Sequence, residues 1–158
     1  MQKPDLTMKT FRLKHLTLLI YTVYCIAVSL NCNKISQGEQ RRKFEFLYRM
    51  SNYVSLANEY SVTLVYFKDL PVFKVRMNKM KSDIEQTATV KSWSKSESLK
   101  EKLIVILGKS ITSSEAVENL NLKPDERIDN EYEVILIRER MQNFSEELYS
   151  IITEVGKE

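Results

Sequence analysis

The stretch VILIRERMQNFSEELYSIITEV, residues 134–155, decides the fold class of this chain. Its apolar side chains recur at alternating steps of three and four residues, which places them along one face, or seam, of an α-helix. The seam consists of Val134, Ile137, Met141, Phe144, Leu148, Ile151 and Val155. A helix with so continuous an apolar seam has to bury it against other helices, so this stretch predicts a helical bundle.

A second seam lies in a helix predicted over residues 39–67. It consists of Leu47, Met50, Val54, Ala57 and Leu64, with Ser61 at the one step that lacks an apolar residue. The whole chain of 158 residues contains only three Gly and three Pro. That composition favours long helices over a turn-rich β architecture.

Two more helices are predicted between these seams. Pro71 ends the first helix and suits the first turn of the next, which is predicted over residues 71–86. Residues 87–98 are polar and serine-rich and therefore predict a loop. Ser98 and Glu101 then have the spacing of a capping box at the start of the most apolar helix.

The last third of the sequence predicts a short segment and then the final helix. Ser113 or Ser114 can cap the segment, which is expected to run through Leu120. The Lys-Pro-Asp sequence at 123–125 is expected to open a helix over residues 125–155. The sequence thus predicts one all-α domain over residues 41–158, resembling either a four-helix bundle or an elongated helical hairpin.

Residues 1–31 have the pattern of an export leader, and residues 32–40 that of a polar tether. A basic, polar start is followed by the apolar run LTLLIYTVYCIAVSL at 16–30, with translation beginning at either Met1 or Met8. As a helix this run would span roughly 22 Å, short of the roughly 30 Å hydrocarbon core of a bilayer. The length favours a leader over a stable membrane span.

Two processing routes compete at the end of the leader. Cleavage after the small-x-small site 27–29 would release a chain that begins at Leu30 and keeps Cys32 as a free thiol. Alternatively, Cys32 is the lipidated first residue of a lipoprotein, because it follows the apolar run and precedes a polar tether. Asn31 departs from the common bacterial lipobox, in which Gly, Ala or Ser precedes the cysteine.

The leader, through its run into Cys-Asn-Lys at 32–34, resembles those of Borrelia-type surface lipoproteins of spirochaetes, whose looser lipobox accepts Asn before the cysteine. The resemblance covers about twenty residues of the leader. It implies lipidation of Cys32 and a helical domain held at the cell surface.

The domain lacks the usual catalytic and metal-binding side chains. The only histidine, His15, belongs to the leader, and Cys32 is the only cysteine after it, which removes His-based nucleophile pairs, His metal sites and an internal disulfide. The glycines stand singly, so no phosphate-binding loop is present in the sequence. We expect no enzyme, no cofactor and no metal site.

The charge distribution argues against nucleic acid as a partner. The formal net charge of +3 is carried by the leader, which leaves the remainder neutral. Within that remainder, residues 32–82 are mainly basic and residues 83–158 mainly acidic.

Three features are candidates for binding a protein partner, and each has a structural alternative. An aromatic strip at seven-residue spacing would either meet a partner or widen the buried face of the first helix. A basic face on the second helix would bind an anionic partner or be merely solvated. The single tryptophan would be an exposed contact or fold back onto the core. The residues are Phe46, Tyr53, Tyr60 and Phe67; Lys74, Arg76, Lys79 and Lys81; and Trp93.

Three functional interpretations follow. The favoured one is a membrane-anchored surface lipoprotein that binds a protein partner, which would be a host protein if the spirochaete resemblance holds. The second is a secreted soluble helical ligand or effector that recognises a receptor. The third is a self-associating structural bundle, a homo-oligomer in which the two seams pair between chains.

Overall fold

A computed structural model describes residues 37–157, and over that range the chain is an all-α domain of four α-helices. A short 3-10 helix, Phe67–Asp69, joins the first helix to the second. The α-helices are α1, Gln37–Thr63; α2, Leu70–Glu85; α3, Lys95–Glu118; and α4, Tyr132–Val155. The predicted all-α fold is confirmed, and of its two forms the bundle is the one found.

Consecutive helices run antiparallel and form an up-and-down bundle. Lys74 at the start of α2 pairs with Glu118 at the end of α3, and Lys102 early in α3 pairs with Glu147 late in α4. The helix α4 then packs along α1 and closes the bundle.

The two predicted seams form much of the core. Every member of the α1 seam is buried, Ser61 included, and so are the members of the α4 seam as far as Leu148. Beyond Leu148 the prediction is wrong by one residue, because Ile152 is buried at 1% exposure while Ile151 is only half-buried. The seam ends by steps of four and three, through Ile152 to Val155.

The predicted boundaries of α2, residues 71–86, are confirmed to within a residue at each end. Pro71 occupies the first turn of the helix, as predicted. The helix α3 differs from the prediction at both ends. It begins at Lys95 instead of Ser98, and Ser113 and Ser114 lie buried inside it instead of capping a separate segment. The Ser114 hydroxyl donates to the Ile111 carbonyl at 2.6 Å, so the helix satisfies this hydroxyl without ending.

The predicted start of the last helix is also wrong, since α4 begins at Tyr132 and not at residue 125. The preceding residues instead run alongside the connection between α1 and α2. The Ile128 N–H donates to the Val65 carbonyl at 2.9 Å, and the Phe67 N–H donates to the Glu126 carbonyl at 3.0 Å. Ile128 is fully buried by this pairing. We call the end of the bundle that holds these paired connections the distal end, and the opposite end, where α1 begins, the proximal end.

Residues 37–40, predicted as the end of the tether, belong to α1. The predicted leader and Cys32 lie outside the described residues.

Candidate binding surfaces

The aromatic strip lies largely within the bundle. Phe46 is 3% exposed, and Tyr53, Tyr60 and Phe67 are half-buried against the core. The guanidinium of Arg76 lies 4.6 Å from the centroid of the Tyr60 ring, so this flank of α1 faces α2. The contacts support the structural alternative, in which the strip widens the buried face.

Trp93 folds back onto the core, as its structural alternative predicted. Its side chain is 9% exposed, and its ring meets that of Phe46 edge to face, with centroids 6.1 Å apart. The exposed contact considered for this residue is therefore not available.

The basic face of α2 is mostly engaged by neighbouring groups. Lys74 donates to a carboxylate oxygen of Glu118, and this hydrogen bond raises the pKa of Lys74. Arg76 covers Tyr60, and Lys81 lies 3.9 Å from a carboxylate oxygen of Glu85. Only Lys79 of the four is exposed and without a partner among residues 38–157.

One arginine bonds three main-chain carbonyls at the distal end. Arg138 of α4 donates to the main-chain carbonyls of Ser61 at 3.1 Å, Leu64 at 2.9 Å and Asp129 at 3.1 Å. Burial lowers the pKa of Arg138, although the group stays charged at neutral pH. A single side chain thus ties the end of α1 to the connection that leads into α4.

Exposed apolar side chains concentrate at this same end. Seven of the eleven large apolar side chains that are exposed among residues 38–157 lie there, in the connections or within two turns of a helix end. Tyr132 is 68% exposed and Leu120 50%. We call this set the distal surface: Val62, Tyr66, Val72, Val75, Leu120, Tyr132 and Ile135.

Sequence analysis missed the distal surface for a physical reason. Seam patterns show which face of a helix is buried, but not where the connections run and what they leave uncovered at the helix ends. Tyr132 was placed inside a longer predicted helix, and Leu120 at the end of a separate segment. Asn121 was a usable signal for a turn in the sequence, since Asn tolerates left-handed backbone. In the structure Asn121 adopts this conformation, with φ of 51°.

A cleft opens at the proximal end, between the first turns of α1 and the connection from α2 to α3. Its volume is about 440 Å³, and it is open to solvent. Three cationic side chains and one carboxylate line it together with main chain. The lining residues are Arg42, Glu45, Phe46, Arg49 and residues 88–92.

Searches for related proteins give no lead to function. No protein-family model, no curated protein and no solved structure matches this chain. Among residues 37–157, no group of three or more His, Cys, Asp or Glu side chains is arranged to hold a metal ion. Over the same range, every helix is too short or too polar to cross a membrane.

Proposed function

We propose that this chain is an exported helical lipoprotein, anchored through Cys32, that acts as a non-enzymatic surface binding protein. Its protein partner binds the distal surface. The observation that carries the proposal is the gathering of exposed apolar side chains at one end of the bundle. Apolar residues gathered on one part of a surface are typical of interaction sites, whereas isolated exposed residues need no explanation.

The geometry of the chain supports a partner at the distal end. From Cys32 to Gln37 the chain can span at most roughly 18 Å, so the start of α1 stays close to any anchor on Cys32. The 27 residues of α1 extend for roughly 40 Å. The distal surface is therefore the part of the domain farthest from the anchor.

The distal surface is also suited to binding because ordering it costs little conformational entropy. The connections are already fixed by Arg138 and by the pairing of Ile128 with Val65, so little conformational entropy is lost on binding. Tyr66 and Tyr132 present rings of the kind enriched at protein interfaces. Exposed acidic and basic side chains both border this end, and Asp125 is paired with Lys68 at 2.8 Å, so the partner is expected to contribute mainly a complementary apolar patch.

The self-associating interpretation has less support. It needs the α1 and α4 seams to pair between chains, yet both seams are buried within one chain, where α1 packs along α4.

The anchor is tested by determining the mass of the mature N-terminus after expression of the full chain in a lipoprotein-processing host. An acylated Cys32 supports the proposal. A free N-terminus at Leu30 would instead make the chain a secreted soluble ligand or effector.

The partner site is tested by placing a photo-crosslinking amino acid at Tyr132, identifying the captured protein, and measuring its affinity in purified form. Leu120→Ser combined with Tyr132→Ser should weaken binding at least about tenfold, since a tyrosine that acts as an interface hot spot costs about 2 kcal/mol or more when truncated. The matched control is Val105→Ser combined with Tyr149→Ser, two exposed apolar residues away from the distal end. Equal losses in the two variants would remove the distal surface from the proposal.

A further inference from the structure

The cleft at the proximal end holds cationic side chains that the rest of the fold leaves uncompensated. Most lysines and arginines of residues 38–157 pair with a carboxylate, a main-chain carbonyl or an aromatic ring. Arg42, Arg49 and Lys91 are exposed and have no such partner among those residues. The one carboxylate in the cleft, Glu45, accepts from Arg41 at 2.8 Å. The cleft therefore presents a net positive charge.

The main-chain wall of the cleft is held at two points. Lys100 donates to the carbonyls of Glu85 at 2.8 Å and Thr87 at 3.0 Å, which holds the start of the connection. The Ser96 hydroxyl accepts from the Val90 N–H at 3.0 Å, which holds its middle.

The same connection holds main-chain donors that the fold does not use. The N–H groups of Ala88, Thr89, Lys91 and Ser92 make no hydrogen bond within the described residues. All four residues line the cleft, which makes their N–H groups candidate donors to a bound anion.

We infer that this cleft binds the phosphate headgroups of anionic phospholipids in the membrane that anchors Cys32. The inference rests on the proposed function, because it takes Cys32 as the anchor. Arg42 and Arg49 lie within the first four turns of α1, and the start of α1 cannot be more than roughly 18 Å from Cys32. The short segment between Cys32 and α1 therefore keeps the cleft close to the lipid surface, where phosphate headgroups are the anions within reach.

Binding of headgroups would orient the domain. With the proximal end against the lipid surface, the bundle stands upright and the distal surface faces outward. Each basic side chain near an anionic surface increases membrane partitioning by roughly fivefold, and salt weakens this attraction. Three such side chains together increase membrane partitioning by roughly a hundredfold.

The test uses the mature protein produced from the full chain and two kinds of vesicle, one of phosphatidylcholine and one with a third of it replaced by phosphatidylglycerol. Hydrogen exchange is measured at the amides of residues 88–92. We expect slower exchange only with phosphatidylglycerol. Arg49→Glu combined with Lys91→Glu should abolish this protection, because it reverses two of the three cationic side chains of the cleft. Lys109→Glu combined with Lys123→Glu is the matched control, since these two lysines are exposed and have no charged partner among the described residues.

Equal exchange on the two vesicles, or an equal loss in the control variant, would overturn the inference. Protection by soluble polyglutamate but not by anionic vesicles would also overturn it and assign the cleft to an acidic protein. The mass of the N-terminus, read on the same sample, separates the two proposals. A free N-terminus with protection retained would remove the anchor but support the headgroup site.

Discussion

The guanidinium of Arg138 donates to the main-chain carbonyl of Leu64 at 2.9 Å, across 74 positions of sequence. Leu64 follows the last turn of α1, where helix carbonyls lack partners within the helix. Arg138 supplies donors to that end from another helix, and it also bonds the carbonyls of Ser61 and Asp129. Arg138 thus links the end of α1 to the connection that precedes α4.

Replacing Arg138 with Ala should lower the free energy of unfolding by about 3 kcal/mol, because carbonyls that it satisfies lose a charged donor. Arg138→Lys should recover part of the loss, since an ammonium cannot reproduce the planar fork. Urea unfolding followed by Trp93 fluorescence gives the measurement. Lys109→Ala is the control, because Lys109 is exposed and its side chain has no partner among the described residues. Equal destabilisation by Arg138→Ala and Lys109→Ala would contradict the role assigned to Arg138.

Asp129 should make the stability of the distal end depend on pH. The hydrogen bonds from Arg127, at 2.6 and 3.1 Å, lower the pKa of Asp129 below its ordinary value of about 3.9. The carboxylate therefore stabilises the fold above about pH 4, and this contribution is lost as the pH falls through the lowered pKa.

Asp129→Asn should accordingly destabilise the protein at neutral pH, and its difference from the native chain should shrink in acid. An NMR titration of the Asp129 carboxyl carbon in Arg127→Ala should show the pKa moving back up. An unchanged pKa in that variant would show that Arg127 is not the cause.

Trp93→Ala should destabilise the bundle by about 3–4 kcal/mol, the usual cost of removing a large buried aromatic side chain. The ring packs against Phe46, and the carbonyl of Trp93 accepts from the Ser96 hydroxyl at 2.8 Å. Tyr60→Ala should cost less, because Tyr60 is only half-buried. Circular dichroism during urea unfolding tests both variants. A fully stable Trp93→Ala variant would show that the ring adds nothing to the core.

Ser51→Ala should stabilise the protein by about 1 kcal/mol. The Ser51 hydroxyl is buried at 1% exposure and has no hydrogen-bond partner among the described residues, so its burial carries an uncompensated desolvation cost. Ser61→Ala is the control on the same helix, because the Ser61 hydroxyl donates to the Asn58 carbonyl at 2.8 Å and should not gain stability when removed. Equal changes in the two variants would contradict the unpaired state of Ser51.

The sequence predicted the parts of the fold that depend on local periodicity. Every residue predicted for the α1 seam is buried, because a step of three and four residues fixes which side chains share a helix face. The prediction missed Phe44, which lies three residues before Leu47 and is also buried. Errors arose where a distant contact decides the outcome. Ser98 has the spacing of a capping box, but the hydroxyl of Ser96 bonds Val90 and Trp93 and α3 begins before Ser98. Ile128 lies in a sequence compatible with helix, yet it pairs with Val65 from another part of the chain.

The candidate surfaces were less predictable than the fold. An aromatic residue such as Phe46 has the same sequence spacing whether it meets solvent, a partner or a neighbouring helix. Only the packing of α2 and Trp93 against α1 decides whether its side chain is buried. The cationic cleft combines Arg49 of α1 with Lys91 from a separate connection. Which cations remain unpaired depends on the positions of carboxylates on other helices, and no local pattern records those positions.

The end of the α4 seam provides a paired test of the register. Ile151 and Ile152 are adjacent and chemically identical, but Ile152 is 1% exposed and Ile151 half-buried. Ile152→Ala should therefore cost about 3 kcal/mol, because it removes a fully buried side chain and leaves a cavity. Ile151→Ala should cost about 1 kcal/mol, in proportion to the smaller apolar area it buries. Both changes alter helix propensity equally, so the difference in urea midpoint isolates burial. A larger loss for Ile151→Ala would restore the regular seam through Ile151 and place the last turn of α4 one residue out of register.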